Sequence, residues 1–191
     1  PFRFFSLSKI AGQPSHAMQT NDLVLGIDGG GTKILAWLVA KDGDATAIGI
    51  GRGGPGNFQA VGVETALANL DTAVAAAFAD AGMQPGPVAA AVLGLAGSSR
   101  ETNRRILAEW AAGRQLARRF RVVSDALPII AAGSPAGWGL GLISGTGSFC
   151  FGQAADGRSA RSGGWGYLFG DEGSAYAMAV AGLRAAAKAA D

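Results

Sequence analysis

Residues suited to phosphate chemistry stand together in one short segment, DGGGTK at 28–33, between the apolar runs LVLGI and ILAWLVA. The segment offers a carboxylate, a hydroxyl, an ammonium group and three consecutive glycines. A hairpin turn needs glycine at only one or two positions, so the additional glycines leave backbone N–H groups unshielded. Unshielded N–H groups bind anions such as phosphate. A tight hairpin with an exposed Lys33 accounts for this segment equally well when it is taken alone.

A second glycine-threonine turn, SGTGS at 144–148, repeats the pattern at the end of another apolar run. Asp125 lies between the two turns along the chain and follows the run RVVS. Two such turns that face each other are suited to holding opposite sides of one polyphosphate. Asp125 has a structural alternative, because an Asp before a short helix over 126–132 would cap that helix.

The composition is that of a globular protein, since 49% of the 191 residues are apolar, 16% are charged and the formal net charge is +2. This length accommodates one core, or one domain and the start of a second. The net charge is too small to indicate a nucleic-acid partner. The local basic run of Arg114, Arg118, Arg119 and Arg121 is best explained as a solvated helix end.

The single cysteine, Cys150, and the single histidine, His16, exclude whole classes of site. An intrachain disulfide and a Cys/His zinc site each need more of these residues, and a Ser-His-Asp triad is not expected with the only His in a tail. No apolar run reaches the length of a membrane span and no signal peptide is present, so the sequence predicts a cytoplasmic protein without a membrane partner. Residues 1–21, in which Met18 precedes the first strand, are expected to be a disordered tail or a remnant outside the fold.

Hydrophobic periodicity predicts an α/β fold with the element order βββαβαβα. The expected elements, in chain order, are strands over 23–27, 34–40 and 45–50, a glycine-rich loop over 51–58, a helix over 63–81, a strand over 88–95, a helix after 98, a strand over 120–124, a short helix over 126–132, a strand pair around 144–148 and a helix over 176–188. Ser98 with Glu101 is predicted to cap the helix that follows the strand over 88–95.

Together these segments resemble the superfamily of sugar kinases, heat-shock ATPases and actin, and within it the N-acetylglucosamine kinase group of the BadF/BadG/BcrA/BcrD ATPase family. The resemblance covers residues 23 to about 188 and is carried by DGGGTK (28–33), GPGNF (54–58), VLGLAG (92–97), VVSDA (122–126), SGTGS (144–148) and GGWGYLFGDEGSA (163–175). It implies a ribonuclease H-like, actin-like ATPase domain over 22–135 and the start of a second, similar domain over 136–191. Because family members continue into a complete second domain, the chain is expected to be truncated.

The resemblance implies an ATP-dependent amino-sugar kinase that uses Mg²⁺ and phosphorylates the 6-hydroxyl of N-acetylglucosamine or glucosamine. Asp28 would hold Mg²⁺ through water, and Asp125 would be the general base. The phosphate-binding residues would be Gly29, Gly30, Gly31, Thr32, Lys33, Ser144, Gly145, Thr146 and Gly147. The sugar-binding residues would be Asn57, Asp125, Ser148, Gly164, Trp165 and Asp171. ATP and an amino sugar are the expected small-molecule partners, and the resemblance admits a homodimer.

Alternatives stay open for several of these residues. Asp171 and Glu172 could instead favour the N-terminus of the last helix through their charge. Trp165 and Tyr167 could be core aromatics. Ser98 and Ser99, which follow a strand end, are better explained as helix caps.

Two other functions also stay open. An ATPase that activates a partner dehydratase would need cysteine ligands for an iron–sulfur cluster, and Cys150 alone does not supply them. A non-catalytic sugar-binding module would keep the binding residues and would need no base.

Overall fold

The computed structural model describes residues 19–98 and 100–191, and these form two compact units. The first unit extends to Ser124, and the second covers Asp125–Asp191. The boundary lies before the helix that follows Asp125, earlier than the predicted boundary after residue 135. The helix belongs with the second unit because it packs on that unit's first strand.

A five-stranded mixed sheet forms the centre of the first unit. Its strands are β1 (Leu23–Gly29), β2 (Ile34–Ala40), β3 (Ala47–Gly53), β4 (Val88–Leu95) and β5 (Ala117–Val123), and their spatial order is β3-β2-β1-β4-β5. β1, β2 and β3 are antiparallel neighbours, whereas β4 and β5 run parallel to β1. The predicted α/β fold with an actin-like strand order is thereby confirmed.

Three helices accompany this sheet: α1 (Phe58–Val61), α2 (Val63–Asp80) and α3 (Glu101–Gly113). Alternate residues of β1 and β2 are buried, as expected for strands with one face on the core. The apolar stripe of α2, which includes Leu70, Val74 and Phe78, belongs to the same buried cluster. This rigid sheet positions the turns at the ends of β1 and β4.

The glycines of β3 correct the prediction that residues 51–58 form a loop, because Gly51 and Gly53 belong to the strand. A Cβ atom on Gly51 would lie 1.9 Å from the backbone oxygen of Ala73, and one on Gly53 would lie 2.1 Å from the backbone oxygen of Asn69. Glycine therefore recurs at every second position because the backbone of α2 lies directly against this face of β3. Glycines in this segment therefore indicate close packing on a helix as well as turns.

The interpretation of the basic run as a solvated helix end is correct for Arg114 and wrong for its other three arginines. Arg114 is the C-cap of α3, whereas Arg118, Arg119 and Arg121 are exposed on β5. β5 lies at an edge of the sheet, where charged side chains discourage pairing with a strand of another molecule.

The second unit contains α4 (Ala126–Gly133), β6 (Gly139–Ser144), β7 (Ser148–Gln153), β8 (Ser159–Gly163) and α5 (Ala175–Ala190). The three strands form an antiparallel sheet in the order β6-β7-β8. β8 was not predicted, because SARSG has no apolar alternation and every residue before Gly163 is exposed. Several large apolar side chains of this unit are also exposed, among them Leu140 and Leu142 on β6.

Within the described ranges, none of the helices combines the length and the apolar character that crossing a bilayer requires.

Candidate functional site

The first glycine turn joins β1 to β2 and leaves part of its backbone open. Asp28 is exposed next to the end of β1, and the N–H of Gly30 donates to the carbonyl oxygen of Lys33 at 3.0 Å to close the turn. Gly29 is packed, since a Cβ there would lie 2.9 Å from Leu95 Cγ. A Cβ on Gly30 would meet no atom within 4 Å. Gly29 is thus required for packing, whereas Gly30 leaves the backbone accessible.

Two neighbouring segments of the first unit brace this turn. The N–H of Gly56 donates to the carbonyl oxygen of Gly30 at 3.0 Å, and the N–H of Ala96 donates to that of Gly29 at 2.8 Å. Asn69 of α2 also holds the segment that contains Gly56, because the Asn69 Nδ2 donates to the Pro55 carbonyl oxygen at 2.9 Å. The turn, the segment before Asn57 and the segment after β4 are therefore brought together.

Asn57 is held by a hydrogen bond that the sequence did not reveal. Its Oδ1 accepts from the N–H of Gln59 at 3.0 Å, which makes it the N-cap of α1. The same oxygen lies 3.8 Å from where a Cβ on Gly97 would stand. With its amide oxygen facing Arg100, the Gln59 side chain accepts hydrogen bonds from both terminal guanidinium nitrogens of Arg100, at 2.7 and 2.8 Å. Asn57 is thus fixed beside the loop that follows β4.

Ser98 holds that loop in place, and the predicted capping box with Glu101 is not formed. The Ser98 side chain is buried and its Oγ donates to the carbonyl oxygen of Val123 at 2.8 Å, which links the ends of β4 and β5. The N-cap of α3 is Arg100, without a side-chain capping bond. From α3, Arg104 Nε donates to the Ser98 carbonyl oxygen at 3.1 Å. Ser99 lies outside the described residues.

The second glycine turn, between β6 and β7, is braced by the segment before α5. Within the turn, the N–H of Gly145 donates to the carbonyl oxygen of Gly147 at 2.9 Å. Ser144 Oγ donates to the Gly173 carbonyl oxygen at 2.8 Å, and Ser148 Oγ donates to that of Glu172 at 2.6 Å. A Cβ on Gly145 would meet no atom within 4 Å, so this turn, like the first, has an open glycine. Thr146 between the two glycines is exposed.

Asp171 lies against the same turn in an unusual backbone conformation. Its Oδ2 is 3.0 Å from the position of a Cβ on Gly147. Its φ of 60° is uncommon for a residue other than glycine, and such conformations concentrate at functional sites. The N-cap of α5 is Ser174, whose Oγ accepts from the N–H of Ala177 at 3.1 Å. Asp171 therefore precedes the N-cap of α5, and its carboxylate lies against Gly147.

Asp125 occupies the N-cap position of α4, but its side chain makes no capping hydrogen bond. Its backbone is already helical, with φ −57° and ψ −22°, whereas a capping residue is normally extended. The helix-cap alternative therefore does not account for this carboxylate, which is half-buried.

The segment after β8 presents aromatic side chains to the surface. Trp165 is 78% exposed and Tyr167 is 61% exposed, so the interpretation of both as core aromatics is wrong. The Tyr167 ring meets that of Tyr176 edge-on, with centroids 5.1 Å apart. Gly164, just before Trp165, has a positive φ of 72°.

Two surface carboxyls have a pKa below the usual value, and neither belongs to this site. A hydrogen bond from the Thr46 side chain is the main cause that lowers the pKa of Asp44, and the backbone N–H of Arg158 does the same for Asp156.

The described residues offer a metal ion few side-chain ligands. In the two described ranges, no three His, Cys, Asp or Glu side chains are grouped so that they could hold a metal ion. Mg²⁺ in kinases usually takes one or two carboxylates, several waters and the substrate phosphates, so an exposed carboxylate at the end of β1 fits this ion.

The proteins that are similar to this chain include two curated sugar kinases and two solved structures. An N-acetylmuramic acid/N-acetylglucosamine kinase of Clostridium acetobutylicum is 33% identical over 168 residues, covering 88% of this chain and 54% of the relative. An N-acetyl-D-glucosamine kinase of Dictyostelium discoideum is 30% identical over 183 residues, covering 90% of this chain and 56% of the relative. The chain thus spans about half the length of the curated relatives it matches.

The two structures come from proteins assigned provisionally as N-acetylglucosamine kinases. The one from Chromobacterium violaceum has a TM-score of 0.65 and 30% identity, covering 82% of this chain and 53% of its own. The one from Porphyromonas gingivalis has a TM-score of 0.73 at 23% identity, with coverages of 87% and 56%, and supports the fold alone. The sequence model of one family matches residues 25–191, and the chain therefore belongs to the BadF/BadG/BcrA/BcrD ATPase family.

Proposed function

We propose that this chain is part of an ATP-dependent amino-sugar kinase that phosphorylates the 6-hydroxyl of N-acetylglucosamine or glucosamine. Its membership of an ATPase family implies ATP binding, and its curated relatives at 30 to 33% identity are sugar kinases. The observation that carries the proposal is the shared design of the two glycine turns. Each contains an open glycine, Gly30 in the first and Gly145 in the second, and each is braced by hydrogen bonds from a neighbouring segment.

The turns would bind the phosphates of ATP. The first contributes the backbone from Gly29 to Gly31, the Thr32 hydroxyl and the Lys33 ammonium group, and the second contributes Ser144 to Gly147. Phosphoryl transfer depends on positioning and on neutralising charge, so donors of this kind are sufficient. Asp28 would hold Mg²⁺ through water, and the ion would supply charge neutralisation at the phosphates.

Asp125 would act as the general base. Its carboxylate would accept the proton of the sugar 6-hydroxyl while that oxygen bonds to the γ-phosphorus and ADP leaves. The position of Asp125 supports this role, since the half-buried carboxylate lies shortly after the end of β5, at the start of α4.

The sugar would be held by Asn57, Ser148, Gly164, Trp165 and Asp171. Amide and carboxylate groups hold hydroxyl groups at fixed angles and reject analogues that leave them unpaired. Two observations support this assignment. The capping bond fixes the Asn57 side chain before any ligand binds, and Asp171 has a positive φ of the kind that concentrates at functional sites.

The proposal is tested by measuring ADP release from ATP and Mg²⁺ by the full-length protein. The acceptors are N-acetylglucosamine, glucosamine, N-acetylmuramic acid, glucose and N-acetylmannosamine. We expect release that depends on one amino sugar and that the substitution Asp125→Asn reduces strongly. Arg105→Gln is the matched control, because Arg105 is exposed on α3 and forms a surface ion pair with Glu109.

Release that is the same with every sugar and without sugar would refute the kinase and would indicate an ATPase that drives a partner protein. Sugar binding without turnover, unchanged in Asp125→Asn, would indicate a binding module.

A further inference from the structure

The guanidinium of Arg161, the middle residue of β8, holds the glycine turn that precedes Trp165. Its Nε donates to the carbonyl oxygen of Gly163 at 3.2 Å, and its Nη2 donates to that of Gly164 at 2.7 Å. The guanidinium carbon lies 4.7 Å from the centroid of the Phe149 ring on the neighbouring strand β7. Arg161 therefore ties two consecutive carbonyl groups to the sheet through one planar group.

The turn needs such a restraint because glycine alone does not order it. Gly163, Gly164 and Gly166 have φ values of 76°, 72° and 89°, which L side chains rarely adopt. Glycine has the largest backbone entropy to lose on ordering, so three of them in four residues make this segment costly to hold in one conformation. Arginine suits the task because its donors form a rigid fork.

The two hydrogen bonds from Arg161 also set the direction of the N–H groups in the turn. In a planar trans peptide the C=O and the N–H lie on opposite sides, so carbonyls drawn to Arg161 direct the N–H groups of Gly164 and Trp165 away from it. Neither N–H has a hydrogen-bond acceptor within residues 19–98 and 100–191. The turn therefore presents two consecutive unpaired donors, which suit oxygen acceptors of a ligand.

We propose that Arg161 is a positioning residue of the sugar-binding turn and that its guanidinium, fixed on the Phe149 ring, aims the N–H groups of Gly164 and Trp165 at the sugar. This inference rests on the proposed function for the identity of the ligand. The positioning itself rests on the contacts of Arg161.

Gly164 completes this arrangement from the other side. A Cβ at Gly164 would lie 2.1 Å from Arg161 Nη2 and 2.9 Å from Phe149 Cβ. A methyl group there would expel the guanidinium from its place, so Gly164→Ala and removal of the Arg161 fork are expected to have the same effect on the turn.

The test compares Arg161→Gln and Arg161→Lys with Arg158→Gln in the full-length protein. Lysine keeps the charge but lacks the fork, and Arg158 is the matched control because it pairs with Asp156 at the start of the same strand. Two readouts are needed: the KM for sugar and for ATP with kcat, and the hydrogen-exchange rates of the Phe169 and Gly170 amides, which both donate to the carbonyl oxygen of Gly166 in the same turn segment. Phe149→Leu removes the ring under the guanidinium and provides an independent variant.

We expect both Arg161 variants to raise the KM for sugar about tenfold, with the KM for ATP unchanged, kcat changed less than about threefold and faster exchange of the Phe169 and Gly170 amides. Phe149→Leu should give a smaller change in the same direction. Exchange rates and sugar KM equal to those of Arg158→Gln would overturn the proposal, and so would full rescue by lysine. If the unsubstituted protein phosphorylates no sugar, the proposed function fails, and the exchange rates still decide whether Arg161 positions the turn.

Discussion

The packing of β3 on α2 predicts a large loss of stability for Gly51→Ala. The new Cβ would lie 1.9 Å from the Ala73 carbonyl oxygen and 2.4 Å from the Ala77 nitrogen, whereas real Cβ contacts are essentially never under 3.0 Å. Both neighbours are backbone atoms of one helix, so no side chain can rotate away. α2 must therefore move outward by about 1 Å along several turns, and the expected cost is at the upper end of the range of about 1–3 kcal/mol for overpacking.

Chemical denaturation and thermal unfolding measure this loss, with Gly26→Ala as the matched control. Gly26 lies within β1 of the same sheet, and a Cβ there would meet no atom within 4 Å. A loss of about 3 kcal/mol corresponds to a fall in Tm of roughly 6–12 °C for a domain of this size. Gly26→Ala should be neutral or stabilising by up to about 1 kcal/mol, because alanine loses less backbone entropy.

The functional consequence of the same shift can be measured in the proposed kinase assay. Asn69 of α2 holds the Pro55 carbonyl oxygen, so outward movement of α2 should displace Asn57 and raise the KM for sugar. If Gly51→Ala unfolds within about 0.5 kcal/mol of Gly26→Ala, the close approach of the two backbones is not what requires glycine there, and the reasoning fails.

Three further substitutions test the candidate site. Asp125→Asn should lower kcat by roughly 10²–10⁴-fold with little change in the KM for sugar, as measured in steady-state assays, and an unchanged kcat would exclude Asp125 as the base. Gly147→Ala should raise the KM for sugar as well as that for ATP, because its Cβ would displace the Asp171 carboxylate, whereas Gly145→Ala should raise the KM for ATP alone; identical kinetic profiles would contradict this difference. Ser98→Ala should lower the free energy of unfolding by about 1–2 kcal/mol in urea titrations, because it leaves the buried Val123 carbonyl oxygen without its hydroxyl donor, and no change would mean that the bond contributes nothing.

Elements whose local pattern and tertiary role agree were predictable from the sequence. The strand Val88–Leu95 is a short apolar run bounded by turn residues and was predicted with its observed limits. The helix α2 was predicted to within one residue of its end, because its apolar stripe and the Gly82 after it give the same answer.

Where the local sequence pattern and the tertiary packing favour different structures, the sequence alone did not predict the structure correctly. The glycines of β3 read as loop residues because local propensity disfavours glycine in strands, while packing against α2 requires it. Ser98 reads as a helix cap because a Glu follows at the required spacing, while its hydroxyl is used by Val123. β8 has no apolar alternation at all, and only its pairing with β7 identifies it as a strand.

The sequence by itself determined the chemical groups available to this protein and the order in which they occur along the chain. Two glycine-threonine turns, the carboxylates at 28, 125 and 171 and the absence of a second cysteine limit the chemistry before any coordinates are known. Only the tertiary structure decided which of the glycines are packed and which are open, that Asp171 lies against Gly147, and that Arg161 holds the turn before Trp165. The reason is that residue type is local information, whereas the direction of a backbone donor or a carboxylate depends on contacts between segments far apart in the chain.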